Sequence, residues 1–169
     1  LPQRNAALTA KQAADVDVLS GGRLDFGIGV GWMSDEFAAL GMSFERRGAR
    51  SDDYIRMMQT IWQSHESSYD GEFVKLPPAY QYPKPAQKPH PPLYFGGESK
   101  FALRRVARFG HWFGVNVMPE GVPAKMAMLE KQCDLEGRDV NDVKIALCPY
   151  ANACERDTLR RYEDAGIDQ

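Results

Sequence analysis

Between residues 6 and 19, Leu8, Ala10, Ala13, Ala14, Val16 and Leu19 recur at mostly helical spacing, and Ser20-Gly21-Gly22 follows as a glycine stop. The pattern predicts a helix and then a turn. Leu24 to Val30 is a short, mostly apolar run ending in glycines, which predicts a buried strand entering a loop. From 51 to 64, Ser51 and Asp52 can cap a helix whose one face carries Tyr54, Ile55, Met58, Ile61 and Trp62. Pro77, Pro78, Pro83, Pro85, Pro89, Pro91 and Pro92 then exclude a regular helix or central strand, so 77–92 is predicted as a long loop, preceded by a hairpin around Asp70-Gly71. Beyond it the pattern alternates, with strands predicted at 93–95, 112–117 and 143–148 and helices at about 99–109, 120–136 and 155–165. Strands taking turns with helices predict βα units and a parallel sheet. Two architectures fit this pattern, part of an eight-stranded barrel or an open doubly wound sheet, and both bind ligands at the carboxyl ends of their strands.

Composition narrows the partners. The 169 residues are 43% hydrophobic and 26% charged, enough apolar material for a packed core. With 21 Lys and Arg against 23 Asp and Glu, the net charge of −2 leaves no basic surplus for a phosphate backbone, so nucleic acid is not an expected partner. No apolar run approaches the roughly 18 residues of a membrane-spanning helix, and no charged leader precedes an apolar stretch, so a membrane is not expected either. Cys133, Cys148 and Cys154 are an odd set without metal-ligand spacing, the expectation for reduced thiols in a cytoplasmic protein. The chain opens at Leu1-Pro2-Gln3-Arg4-Asn5 without a Met and stops at Ala165-Gly166-Ile167-Asp168-Gln169, where another element is expected to begin. The expectation is a segment of a longer protein.

Three stretches could carry chemistry. Gly27-Ile28-Gly29-Val30-Gly31-Trp32 lies at the end of a predicted strand, where bare backbone lets a flat cofactor approach and Trp32 can supply an aromatic wall; the alternative is a glycine-rich strand with packing needs of its own. Its G-x-G-x-G spacing is not the dinucleotide-binding fingerprint. Phe95-Gly96-Gly97-Glu98-Ser99 leads straight into a helical pattern, where unpaired N–H groups, the positive end of the helix dipole and the Ser99 hydroxyl outline an anion site; the alternative is a turn with Ser99 as the helix cap. Glu98 suits an anion only if its side chain turns away. In Glu45-Arg46-Arg47-Gly48-Ala49-Arg50 a guanidinium could grip a phosphate bidentately, while Arg46 and Arg47 read as a solvated face. His65, His90 and His111 are scattered, with no partner at metal spacing and no nucleophile beside them, and read as structural or surface residues.

In order and spacing, Leu1-Pro2-Gln3-Arg4-Asn5, Ala10-Lys11-Gln12-Ala13-Ala14, Asp17-Val18-Leu19-Ser20-Gly21-Gly22-Arg23, Gly27 to Trp32, Glu36-Phe37, Leu40-Gly41 and Arg47-Gly48-Ala49-Arg50 resemble the bacterial luciferase-like flavin or deazaflavin oxidoreductases. The resemblance continues through Tyr54, Trp62, Pro92 to Ser99 and Ala107-Arg108-Phe109-Gly110, and so covers nearly the whole chain. It implies a (β/α)8 TIM barrel of which these residues form about strands four to seven, a single partial barrel domain over 1–169 with a proline-rich insertion at about 66–92. Half a barrel leaves open parallel edges, so further strands are expected to complete it.

The resemblance also implies cofactor-binding positions: Gly29, Val30, Gly31 and Trp32 after the fourth strand, Gly96, Gly97, Glu98 and Ser99 after the fifth, and Arg50 near a phosphate. Two departures stand out. Ala6 replaces a usual proline, and Trp32 replaces the acid of a sugar-phosphate dehydrogenase branch, so that acid's role as proton donor does not carry over. No catalytic residue is assigned and no metal is expected. The form of Gly31-Trp32, Glu36-Phe37 and Arg47 to Arg50 is most similar to branches that use coenzyme F420. The implied function is therefore an F420-dependent oxidoreductase moving a hydride between the deazaflavin and a small organic substrate, with a homodimer possible. The alternatives are a reduced-FMN-dependent monooxygenase and a non-catalytic flavin-binding relative.

Overall fold

A computed structural model describes residues 1–150 and 155–167; Cys154 and the last two positions of the expected new element, Asp168 and Gln169, lie outside them. By internal contact the chain divides into two units, Leu1–Phe26 with Val30–Pro92 and Gly27–Gly29 with Leu93–Gln169.

The first unit is built on two helices, α1 (Ala6–Leu19) and α3 (Arg47–Gln63), with the short α2 (Ser34–Ala39) between them in sequence. Asn5 caps α1 by accepting the Leu8 N–H. The buried stripe of α1 is Ala6, Ala10, Ala13, Ala14 and Asp17, small enough for close approach to α3. Leu8, Val16 and Leu19 of the helical pattern lie largely outside. On α3 the expected stripe is the core: Tyr54, Ile55, Met58, Ile61 and Trp62 are all buried. That helix begins at Arg47, one turn before the expected caps, because Arg46 takes a left-handed φ of 54° and turns the chain into it. The Trp62 indole donates to the Ala10 carbonyl at 2.9 Å and meets Phe26 edge-on, which ties the two helices at their buried centre.

Within the expected 66–92 insertion the structure forms an antiparallel ribbon of β2 (Ser67–Asp70) and β3 (Lys75–Ala79), so Pro77 and Pro78 lie in a strand rather than in a loop. The ladder tolerates them because they fall at an irregularity, between the Tyr69–Leu76 and Ser67–Ala79 pairs, and each strand of a two-stranded ribbon has an outward side where a missing N–H costs nothing. Two buried acids fasten these segments. Asp53 accepts from the Tyr69 hydroxyl at 2.6 Å and the Phe73 N–H at 2.7 Å, holding the ribbon to α3. Asp17 accepts from the Gln87 backbone and side chain, holding the proline loop to α1. Burial, with the Asp53 hydrogen bond and charge behind it, pushes the Tyr69 hydroxyl up to about 12.

A four-stranded sheet, which apart from Phe26 belongs to the second unit, has the order β1 (Phe26–Ile28), β4 (Leu93–Gly96), β5 (His111–Val115), β6 (Ile145–Cys148), with β4, β5 and β6 parallel. Strand order follows the chain without reversal. That is the order of neighbouring strands in a barrel, the first of the two architectures that the pattern allowed. α4 (Lys100–Phe109) and α5 (Val122–Glu136) pack together over the sheet, and α6 (Arg156–Asp164) follows β6. The core is Leu93, Phe95, Leu103, Val106, Trp112 and Leu129, each at most 1% exposed. Arg138 fastens the turn beyond α4 by donating to the carbonyls of Val106 and Gly110, and Glu136 accepts from Arg104 and Arg108. Cys133 and Cys148 are free thiols, and burial pushes the Cys133 thiol up, away from reactivity.

Candidate functional site

The expected site residues fall in both units. In the first, Gly31 has φ 78°, and a Cβ built on it would lie 2.7 Å from the Phe37 ring and 3.2 Å from the Gln3 carboxamide oxygen. Arg47 Nε donates to the Gly31 carbonyl at 3.0 Å while its guanidinium lies over the Phe44 ring, so Arg47 braces this loop rather than forming a solvated face. Val30 is half-buried, and Trp32 is 79% exposed. Arg50 is 8% exposed and donates through Nη1 to the Ser43 carbonyl at 2.6 Å and through Nη2 to that of Glu45 at 3.3 Å. Arg46 is exposed, paired bidentately with Glu72.

In the second unit, Gly96 ends β4 and Ser99 caps α4 by accepting the Ala102 N–H at 3.2 Å. That bond uses an acceptor site of the hydroxyl and leaves its proton to donate. Gly97 has φ 109°, a left-handed value that keeps glycine there. Its carbonyl accepts from the Trp112 indole at 3.1 Å, and the Glu98 carbonyl accepts from Lys125 Nζ at 3.1 Å. The Glu98 carboxylate turns onto β5 and accepts the Val115 N–H at 2.8 Å. The chain thus occupies the acceptors of the turn itself. Among the described residues, the N–H groups of Gly97, Glu98 and Ser99 have no backbone acceptor, and the helix that follows contributes its own uncompensated first-turn amides. A Cβ on Gly96 or on Gly29 would meet nothing within 4 Å. Spare donors beside open space can take an anion.

The residue pattern missed Trp112, Lys125 and Val115, the groups that brace this turn. Only folding brings β5 and α5 to it. The three histidines hold structural positions: His65 meets the Tyr82 hydroxyl, His90 meets Gln59 and lies against the Trp62 ring at a tilt, and His111 accepts the Lys144 N–H. Among the described residues no cluster of His, Cys, Asp or Glu could hold a metal ion, and no helix is long and apolar enough to cross a membrane.

The family model for luciferase-like monooxygenases matches residues 1–166. The chain belongs to this luciferase-like family. An FMNH(2)-dependent dimethylsulfone monooxygenase of Pseudomonas putida is 33% identical over 138 residues, which cover 79% of the chain and 38% of that protein. Among solved structures, a monooxygenase from Streptomyces bottropensis superposes with a TM-score of 0.74 at 22% identity, over 98% of this chain and 51% of that one. An F420-dependent secondary alcohol dehydrogenase superposes at 0.73 with 23% identity, over 85% of this chain and 44% of that one. The two superpositions establish the luciferase-like fold. The chain spans about half or less of the length of each of these proteins.

Proposed function

We propose that the protein is a luciferase-like oxidoreductase acting on a small organic molecule with coenzyme F420, and that the Gly96–Ser99 turn holds the cofactor's phosphate. One observation carries the phosphate assignment: the turn's carbonyls and carboxylate are bonded within the chain, whereas the Gly97, Glu98 and Ser99 amides are not bonded to backbone acceptors. Those amides, the Ser99 hydroxyl and the positive end of α4 fit an anionic phosphate group. Gly96, at the start of the turn, leaves room for its bulk. When bound, the cofactor supplies the redox chemistry, and these residues bind and orient it. The choice of F420 is supported by the branch resemblance at Gly31-Trp32, Glu36-Phe37 and Arg47 to Arg50.

A second reading, an FMN-dependent monooxygenase, is favoured by the 33% identity to the FMNH(2)-dependent relative. Both cofactors carry phosphate, so the turn serves either. Fluorescence titration of the apoprotein with each separates them. F420 binding more tightly than FMN is the expected result; tight FMN binding without F420 binding moves the assignment to the monooxygenase.

A further inference from the structure

The bracing of the cofactor turn has a directional consequence. A trans peptide is planar, and its C=O and N–H point in opposite directions. The Gly97 carbonyl and the Glu98 N–H belong to one peptide plane, the Glu98 carbonyl and the Ser99 N–H to the next. Trp112 Nε1 pins the first carbonyl and Lys125 Nζ pins the second, each at 3.1 Å. We propose that Trp112 and Lys125 are positioning residues, each aiming one amide at the bound phosphate: Trp112 the Glu98 N–H, and Lys125 the Ser99 N–H. The proposal rests on the phosphate reading of the turn.

The two pins differ in character. Trp112 is fully buried on β5, so its indole N–H is a fixed point of the core. Lys125 lies half-buried in the first turns of α5 and reaches the turn through a flexible stem. Its ammonium carries further hydrogens beyond the one given to the Glu98 carbonyl. An anion site built this way is rigid on one side and adjustable on the other. Gly97, between β4 and the pinned planes, permits the left-handed φ that both orientations require.

The test is residue-resolved. In the intact protein, saturating FMN or F420 should move the backbone amide resonances of both Glu98 and Ser99. In Lys125→Met, which keeps the stem and removes the donor, the Ser99 response should be lost and the Glu98 response kept. In Trp112→Phe, which keeps a ring in the core, the reverse should hold. Each variant should weaken the cofactor by about tenfold, the lower end of what supporting groups cost at metal sites. Lys125→Arg should restore the Ser99 response. Responses of both amides that persist unchanged in both variants would overturn the proposal while leaving the phosphate reading intact. Absence of any response at either amide in the unaltered protein, with cofactor shown to be bound, would overturn the phosphate reading as well. Trp112→Phe is also read through the hydrogen exchange of its unit, and if that variant is unfolded, the Lys125 pair alone decides.

Discussion

The two glycine turns that follow strands in this chain look alike in sequence and differ in what surrounds them. At Gly31 the space a side chain would take is filled by the chain's own Phe37 and Gln3, and the carbonyl is held by Arg47. At Gly96 that space is empty, and the chain secures the carbonyls of the next two residues while leaving amides available. A glycine kept by neighbouring atoms is a packing residue. One kept beside open space and free donors suits a ligand.

The largest expected effect tests the filled turn. Gly31→Ala would place a methyl against the Phe37 ring, and Phe37 is fully buried and packed edge-on to Phe44, so it cannot move aside. Added to the left-handed φ, this should cost about 2–4 kcal/mol of stability, read by denaturant unfolding. A loss below 0.5 kcal/mol, the range of neutral surface changes, would show that the loop rearranges easily and would erase the contrast between the two turns.

Arg50 sharpens the same side. Arg50→Ala removes two charge-assisted bonds that hold the Ser43 and Glu45 carbonyls, so stability should fall by roughly 1.5–3 kcal/mol. Arg50→Lys should recover part of that loss, since an ammonium cannot reproduce the fork. Arg46→Ala, at an exposed pair, should leave the melting temperature unchanged. If Arg50→Ala weakens F420 or FMN tenfold without lowering stability, the arginine belongs with the phosphate instead.

The alternation after residue 92 was legible because short apolar runs are separated by longer segments of helical spacing, and the α3 stripe was legible because five apolar residues recur on one face of a 17-residue helix. α2 was not, since six residues with only Phe37 buried carry no period. The apolar spacing of α1 marked the helix without marking its buried side, which approaches α3 through alanines. The better signal there was Asp17, an acid in register with Ala6, Ala10 and Ala13, whose burial is stabilised by Gln87 seventy positions away. At the candidate site, Gly96 to Ser99 were visible as a motif, while Trp112 and Lys125 were invisible because sequence spacing says nothing of which later element reaches a turn.

The hairpin gives the filled unit a pH signature. Tyr69 holds its proton more tightly in the folded chain than the usual value of 10, up to about 12, because burial and Asp53 disfavour the phenolate. Folding therefore binds the proton. The stability it contributes is complete below pH 10 and is lost as pH rises toward 12. Phenolate absorbance should show one late-titrating tyrosine that disappears in Tyr69→Phe. Loss of no such component in that variant would mean that the Tyr69–Asp53 bond is not formed in solution.

Gly96→Ala probes the open turn and should give the opposite result to Gly31→Ala. The new methyl meets nothing in the chain, so stability should change by less than about 0.5 kcal/mol. Affinity for F420 or FMN should fall about tenfold, or 1.4 kcal/mol, because the methyl takes space the ligand uses. Unchanged affinity in this stable variant would place the phosphate elsewhere.

The smallest effect belongs to Glu98. Its carboxylate accepts the Val115 N–H, and a carboxamide oxygen in Glu98→Gln can accept the same bond, so the fold of the turn should persist. What changes is charge. A half-buried negative group beside an anion site opposes the ligand, and its removal should tighten F420 or FMN by a few-fold, within the roughly 0–1 kcal/mol typical of solvent-exposed charge pairs. The gain should shrink between 0.05 and about 0.5 M salt, since screening at the higher strength reaches only a few ångströms. A riboflavin titration, which presents the ring system without phosphate, should show no gain. Equal tightening of riboflavin and FMN would mean that Glu98 acts on the ring or on the turn's shape, and the electrostatic account of the open turn would fail there.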